Sequence, residues 1–589
     1  MWRIARGGRL SGVMLQQRLI AYLSMEIALE SDIPTYSGGL GGLAGDTIRS
    51  AADLGIELVA VSLVHRKGYF RQTLAPNTGA QSEAPDEWQP QLRLEALEPR
   101  VAVRIGGRRV HVAAWQYSIR GIAGHQVPVI LLDTDLPENA DEDRRLTDSL
   151  YGGDEEYRLC QEIILGMAGV RMLRALGYLE VDRFHLNEGH AALASLAILD
   201  EMLGRKHSAT KLAKAFGRLQ EHCVFTTHTP VPAGHDRFPM ELVRSLLEKR
   251  QVSRLEWMGA KDVLNLTEIA LRASDFVNGV AMRHGEVSRG MFSNYPVSSI
   301  TNGIHPATWA SEPFEQLFDR FIPEWRRDAF SLRYAIGIPL DEIANAHTAA
   351  KRDLVEYVNR ESDATFDAET LTIAFARRAT AYKRPMLVFK DIERLAQIAA
   401  ERGPIQIVFA GKAHPRDDEG KSLICQIFEA ARQLDGRISV AFLPGYGLDL
   451  ARRMVSGCDA WLNTPVPPLE ASGTSGMKAA LNGVPSLSVI DGWWVEGCVE
   501  GVTGWAIGND DHADSTENTD ERHAEALYDK LQSTVLPTYY DNREHYLEIM
   551  RSCISINASF FNSQRMALQY VAEAYRDSLV PTRVAKNDS

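Results

Sequence analysis

No CxxC pair occurs in the chain; its six cysteines, Cys160, Cys223, Cys425, Cys458, Cys498 and Cys553, are scattered. That spacing supplies neither a zinc framework nor a disulfide scaffold, and it fits reduced thiols in a cytoplasmic protein. Long apolar runs are also missing: none approaches the roughly 20 residues that cross a bilayer, so no membrane partner is expected. A surplus of basic residues is absent too. The net charge is −13, which argues against nucleic acid, because binding a polyanion depends on excess lysine and arginine. Internal repeats and low-complexity tracts are lacking. The opening MWRIARGGRLSGVMLQQRL has no acids, but it also lacks the apolar centre of a secretory signal. Residues 1–18 are read as a flexible basic tail, with a targeting segment as the alternative.

What is present is an ordinary globular composition, 45% hydrophobic and 24% charged, in 589 residues. That length is several times one core, so two large domains are expected. From Leu19 the pattern runs strand (LIAYLSMEI), glycine-rich loop (SGGLGGLAGD), helix (DTIRSAADLG) and strand (IELVAVSLV). FHLNEGHAALASLAILDEML passes from strand to helix, CVFTTHTP is a short strand with a polar end, and DFVNGVAMRHGEVSRGMF reads as helical. Such alternation favours an α/β sheet covered on both faces. In the second half LTIAFARR, PIQIVFAG, RISVAFLPG, DAWLNTP and PSLSVIDG are five short β-rich runs separated by helix-length segments. They describe a doubly wound parallel sheet that binds ligands at its carboxyl edge. The divisions expected are 19–310 and 311–555, with TNGIHPATWAS as the hinge, and 556–589 as a helix packing back plus a tail. Residues 509–523 read as an acidic surface loop.

Three segments carry chemistry. EASGTSGMK (470–478) is a turn entering a helix, with Gly473 and Thr474 at its start and Lys478 four residues after Thr474, on the same face. Free N–H groups and the dipole at a helix start can hold a phosphate, and a partly buried lysine can form an imine with an aldehyde. Pyridoxal phosphate has both groups. Taken alone, the segment is better explained by a lysine snorkelling to solvent. FARRATAYKRP shifts the balance, because Arg377, Arg378, Lys383 and Arg384 crowd a strand end where this kind of sheet binds anions. SGGLGG (37–42) precedes a helix in the first half and has neither the Walker nor the dinucleotide spacing.

Together EASGTSGMK, RRATAYKR, SGGLGGLAGD, LNEGHAALA, TTHTPVP, GKAHP and TNGIHPATW resemble, in order, the α-glucan phosphorylase family. The resemblance runs from about residue 20 to about residue 500. It implies a GT-B fold of two Rossmann-like domains with the active site in the cleft between them, and a glycosyltransferase with pyridoxal 5′-phosphate as a Schiff base at Lys478. Gly473, Thr474, Arg377, Tyr446 and Trp309 match cofactor contacts. Arg378 and Lys383 match the residues that hold the substrate anion. Gly38, Gly39, Leu40, Glu188, His190, His228, Asn302, Tyr382, Glu470, Ser472 and Gly473 match the substrate pocket, with the His228 carbonyl facing the sugar. Phosphorolysis of the non-reducing-end α-1,4-glucosyl unit to α-D-glucose 1-phosphate, with retention, is the implied reaction. A homodimer is the implied assembly. Arg377 stands where lysine is usual, and Thr380-Ala381 replaces His-Glu, which puts the acceptor loop and allosteric control in doubt.

Two alternatives stand beside this reading, a nucleotide-sugar glucan synthase of the same fold and a non-catalytic glucan-binding relative. Lys478 and Tyr382-Lys383-Arg384 argue against the first, and the retained phosphate-binding charges argue against the second. HLNEGH, with His185, Glu188 and His190, raises a metal site, but a strand-to-helix turn lacks the i, i+4 geometry of HExxH, and no metal is expected. His414 reads as a loop residue near the site, and Glu496 is undecided.

Overall fold

The computed structural model describes residues 18–204, 208–231, 234–509 and 519–575. Most of the basic tail, the centre of the acidic insertion (510–518) and the final residues 576–589 lie outside the described residues.

Nine strands form the first sheet: β1 (Ile20–Ser24), β2 (Leu58–Leu63), β3 (Glu95–Ile105), β4 (Arg108–Arg120), β5 (Gln126–Asp133), β6 (Arg183–Asn187), β7 (Cys223–Thr226), β8 (Phe276–Gly279) and β9 (Ser298–Ser299). Their spatial order is β9-β8-β7-β6-β1-β2-β5-β4-β3. All neighbours are parallel as far as β5, and β4 and β3 extend the sheet antiparallel. β1 shows why both faces must be covered. Ala21 and Leu23 belong to one apolar layer, and Ile20 and Tyr22 belong to the other, as the two-residue repeat of a strand requires.

The second sheet contains β10 (Leu371–Ala376), β11 (Ile405–Ala410), β12 (Ser439–Leu443), β13 (Ala460–Asn463), β14 (Ser486–Val489) and β15 (Gly504–Ile507). Its order is β12-β11-β10-β13-β14-β15, parallel throughout. The winding direction reverses between β10 and β13, and that point is where a doubly wound sheet receives ligands. Arg377 follows β10 directly, and the 464–473 loop follows β13.

Three local expectations need correction. The glycine run is not a loop ahead of a helix: α1 spans Gly39–Leu54, because Leu40, Leu43 and Ala44 already repeat at helical spacing. The 275–292 segment is not one helix. Phe276–Gly279 pairs as β8 before a helix at Met282–Met291. The terminal helical reading is interrupted at 561–562, where Asn562 bridges to Ile304. There a Cβ on Gly303 would stand 2.2 Å from the Asn562 carbonyl. The helix that follows, Ser563–Glu573, packs on α1: Met566 and Tyr570 share an apolar layer with Ile48 and Ala51.

A hairpin from the first half, Arg71–Leu74 with Gln81–Ala84, reaches the second sheet. Gln72 donates to the Gly411 carbonyl at 2.9 Å and accepts from Gly445 N–H at 2.9 Å. Gln81 donates to the Ala413 carbonyl at 2.9 Å. No helix among the described residues is long and apolar enough to cross a membrane.

Candidate active site

Lys478 projects from the helix Thr474–Leu481. Gly473 caps this helix in the left-handed region (φ 88°), a conformation costly for residues with a Cβ. Asn482 closes the other end, donating to the carbonyls of Lys478 and Trp309 at 2.9 Å each. The Lys478 amine therefore lies 3.5 Å from the centre of the Trp309 ring. Trp309 is fixed in turn by its indole N–H, which donates to both oxygens of buried Asp46 at 2.9 Å. Burial pulls the Lys478 pKa down to about 8, against the opposing charge of Asp46. A sizeable fraction of this amine is therefore neutral, and nucleophilic, near neutral pH.

The glycine loop comes up from the first sheet. A Cβ on Gly42 would stand 3.7 Å from the Lys478 amine, and one on Gly38 would stand 3.8 Å from the Arg378 guanidinium. Gly38 to Gly42 thus meets both cations across the two sheets. Gly39 and Leu40 form the first turn of α1, where amides lack intrahelical acceptors.

At the switch point of the second sheet, Glu470 is buried and pairs with Arg377 and Lys383, each at 2.6 Å. Arg377 also donates to Asn463, and Lys383 lies 4.4 Å from the centre of the Tyr382 ring. Burial alone would raise the Glu470 pKa, but Arg377 and Lys383 override it and hold it at about 2. The Glu470 N–H donates to Asp491 at 2.9 Å, whose own pKa burial pushes up to about 7. Arg378 differs from its neighbour: its side chain is exposed, and it has no ion-pair partner among the described residues. Tyr446 packs beside the second-sheet core with its hydroxyl pKa raised by burial. The Ser472 hydroxyl and the Asn302 side-chain oxygen are buried without hydrogen-bond partners among the described residues.

The remaining expected residues form a neighbouring group. Glu188 has φ 72°, a conformation rare outside glycine. It accepts from its neighbour's Gly189 N–H at 3.0 Å, from His228 N–H at 2.7 Å and from the Thr229 hydroxyl at 2.9 Å. Its carboxylate therefore secures the 228–229 backbone. The His228 ring is hydrogen-bonded to Asn187 Oδ1 at 2.7 Å, and burial lowers its pKa to about 3, so it is neutral. His190 sits 2.7 Å from Asp236 and 3.6 Å from Glu162. Those carboxylates overcome burial and raise its pKa to about 10. Glu162, His190 and Asp236 present potential ligand atoms within 4.8 Å of one another, whereas His185 faces Thr226 and the Tyr575 hydroxyl. Arg158 pairs with Asp236 at 2.6 Å, and burial pushes the Glu162 pKa up to about 8.

Sequence reading missed several residues that hold this site. Glu26 accepts from Ser37 and Gly38 N–H, Asp46 aligns Trp309, and the Tyr36 hydroxyl accepts from Leu448 N–H. Arg565 donates to the carbonyls of Thr301 and Asn302 at 2.6 and 3.0 Å; Glu496, left undecided from the sequence, accepts from Met282 N–H and the Thr301 hydroxyl. Glu26 had a signal, an acid just past the carboxyl end of β1.

The sequence pattern of the carbohydrate phosphorylase family matches residues 248–504. The chain is 38% identical to a maltodextrin phosphorylase from Thermococcus litoralis, over 97% of this chain and 72% of that protein. The chain belongs to the α-glucan phosphorylase family. It is also 38% identical to a glycogen phosphorylase from Mycobacterium tuberculosis, over 94% of this chain and 70% of that protein. A glycogen phosphorylase from Aquifex aeolicus is 34% identical over 94% of this chain and 86% of its own length. The family pattern takes in Asn302, Trp309, the 377–384 cations and Lys478. The glycine loop and Glu188 fall outside it, in the part reached by the whole-chain likeness to the family's relatives.

Proposed function

We propose that the protein is an α-1,4-glucan phosphorylase, releasing α-D-glucose 1-phosphate from the non-reducing end with retention and using pyridoxal 5′-phosphate held at Lys478. The observation that carries this reading is the Lys478 amine, without an ion pair among the described residues and with its pKa near 8, enclosed between the Trp309 ring and Gly42. A side chain at position 42 would fill that space. The residues present therefore fit the cofactor: Lys478 for its aldehyde, the Gly473–Thr474 helix start and Arg377 for its phosphate, Trp309 and Tyr446 for its ring. When bound, the cofactor supplies a phosphate that acts as a proton donor and acceptor beside the substrate phosphate.

The chain's own residues do the rest. Arg378, free of ion pairs among the described residues, receives inorganic phosphate, and Lys383 adds a second positive charge. Lys383 and Arg377 are both held by the single carboxylate of Glu470 without substrate, so the trio keeps one net positive charge, and an arriving anion meets cations that are already oriented and need little reorganisation. Glu470, the Ser472 hydroxyl and the Asn302 side chain offer acceptors and donors to sugar hydroxyls. The neutral His228 and the backbone secured by Glu188 line the same side. Phosphate gives its proton to the glycosidic oxygen, the C–O bond breaks toward an oxocarbenium-like centre, and a phosphate oxygen bonds the anomeric carbon from the same face. First-turn amides of Gly39 and Leu40 donate to the phosphate, whose negative charge grows as it gives up its proton. No carboxylate acts as nucleophile, which separates this scheme from two-carboxylate hydrolysis.

The test is phosphate-dependent release of glucose 1-phosphate from maltodextrin by the cofactor-loaded protein. Release of free glucose without phosphate, or no turnover at all, would overturn the proposal.

A further inference from the structure

We propose that Glu26 is a positioning residue for phosphorolysis, fixing the glycine loop against Arg378 and Lys478; the inference rests on the function proposed above. Glu26 is 1% exposed and lies two residues beyond β1. One carboxylate oxygen accepts from Ser37 N–H at 2.6 Å and from Gly38 N–H at 3.1 Å, and the Ser37 hydroxyl is within 3.2 Å of it. The other accepts from the Tyr151 hydroxyl at 3.0 Å. No cation pairs with it among the described residues.

This is an unusual use of a buried carboxylate. The residue capping α1 is Gly38, which has no side chain to accept a hydrogen bond. Glu26 makes a different bond from outside the helix: it accepts from the N–H of the cap residue Gly38 itself, the part that an acid within the helix plays in a capping box. It takes the amides of 37 and 38 and not those of Gly39 and Leu40, which face a ligand. Gly41 is what admits the carboxylate: a Cβ there would stand 2.7 Å from the Glu26 oxygen. Through Tyr151 the same carboxylate reaches the second group, since the Tyr151 ring lies 5.6 Å from His190 and carries the Arg158 guanidinium 5.1 Å from its centre. Loop and His190 cluster thus share one anchor.

The experiment compares Glu26→Gln and Glu26→Asp with wild type, all cofactor-loaded, by initial rates over varied phosphate and glucan and by hydrogen exchange at residues 37 and 38. Glu26→Gln keeps the shape but replaces one acceptor oxygen with a donor and removes the charge. The expected result is faster exchange at both amides and a kcat lower by about 10²-fold, the effect of a small misplacement of reacting groups, with the KM for glucan within about twofold. Glu26→Asp keeps the charge and falls between the two, and it carries the test alone if Glu26→Gln does not fold. Faster exchange with unchanged kcat, or unchanged exchange, overturns the proposal. A wild type without phosphate-dependent turnover refutes the functional reading instead, and exchange then still decides whether Glu26 holds the loop.

Discussion

Replacing Glu470 by glutamine should destabilise the protein by about 3 kcal/mol in phosphate-free buffer and make its stability depend on phosphate. The carboxyl is 5% exposed and pairs with two cations at 2.6 Å. Its pKa falls from 4.5 to about 2 on folding; at about 1.4 kcal/mol per tenfold change in proton affinity, this amounts to about 3 kcal/mol. That value lies at the lower end of the ~3–5 kcal/mol lost when one partner of a buried pair is removed. The sign follows from the direction of the shift. A depressed carboxyl contributes stability above pH 4.5, and that contribution fades as pH drops through the window from 4.5 to about 2. Wild type should therefore approach Glu470→Gln in stability at the acid end of that window. Phosphate, by pairing with Arg377 and Lys383, should stabilise the variant more than wild type. The assay is thermal unfolding followed by tryptophan fluorescence, with and without phosphate, across that pH range. A variant within about 0.5 kcal/mol of wild type at neutral pH would refute the reasoning, as would equal stabilisation of both by phosphate.

Lys478→Ala should abolish the near-ultraviolet absorbance of a bound pyridoxal cofactor together with turnover, while circular dichroism stays unchanged; a retained band on the variant would count against Lys478. Arg378→Ala should leave stability within about 0.5 kcal/mol of wild type, as for an exposed side chain without ion-pair partners among the described residues, yet raise the KM for phosphate by more than about tenfold. A strong loss of stability there would show a structural role instead. Gly45→Ala should destabilise by at least about 1–3 kcal/mol, because the added Cβ would stand 2.2 Å from the Ala28 carbonyl; chemical denaturation tests it, and a neutral effect would mean α1 shifts freely.

The second sheet was legible because its strands are short β-rich runs, and all five runs appear as strands, from Leu371–Ala376 to Ser486–Val489. The antiparallel edge of the first sheet was not singled out, since EALEPRVAVRI and RRVHVAAWQYSIR carry many exposed polar residues and lack a crossover helix. The start of α1 was misjudged because glycine normally marks a loop. Here Glu26, two residues past β1, binds the N–H groups of Ser37 and Gly38 just ahead of the helix, and an anchor distant in sequence leaves no local signal. The cations at 377–384 stood out by their density at one strand end. That Glu470 would pair with two of them did not, because residue 470 reaches them only once β10 and β13 lie side by side. Asp46, Tyr36 and Arg565 act on residues hundreds of positions away or on backbone groups, and spacing rules see neither.

The most direct test of the account is a single assay on the cofactor-loaded protein: maltodextrin with and without inorganic phosphate, with products separated as glucose 1-phosphate and free glucose. The account predicts α-glucose 1-phosphate in proportion to phosphate and no free glucose. Glucose formed independently of phosphate, or no product from protein that carries the cofactor at Lys478, would contradict it.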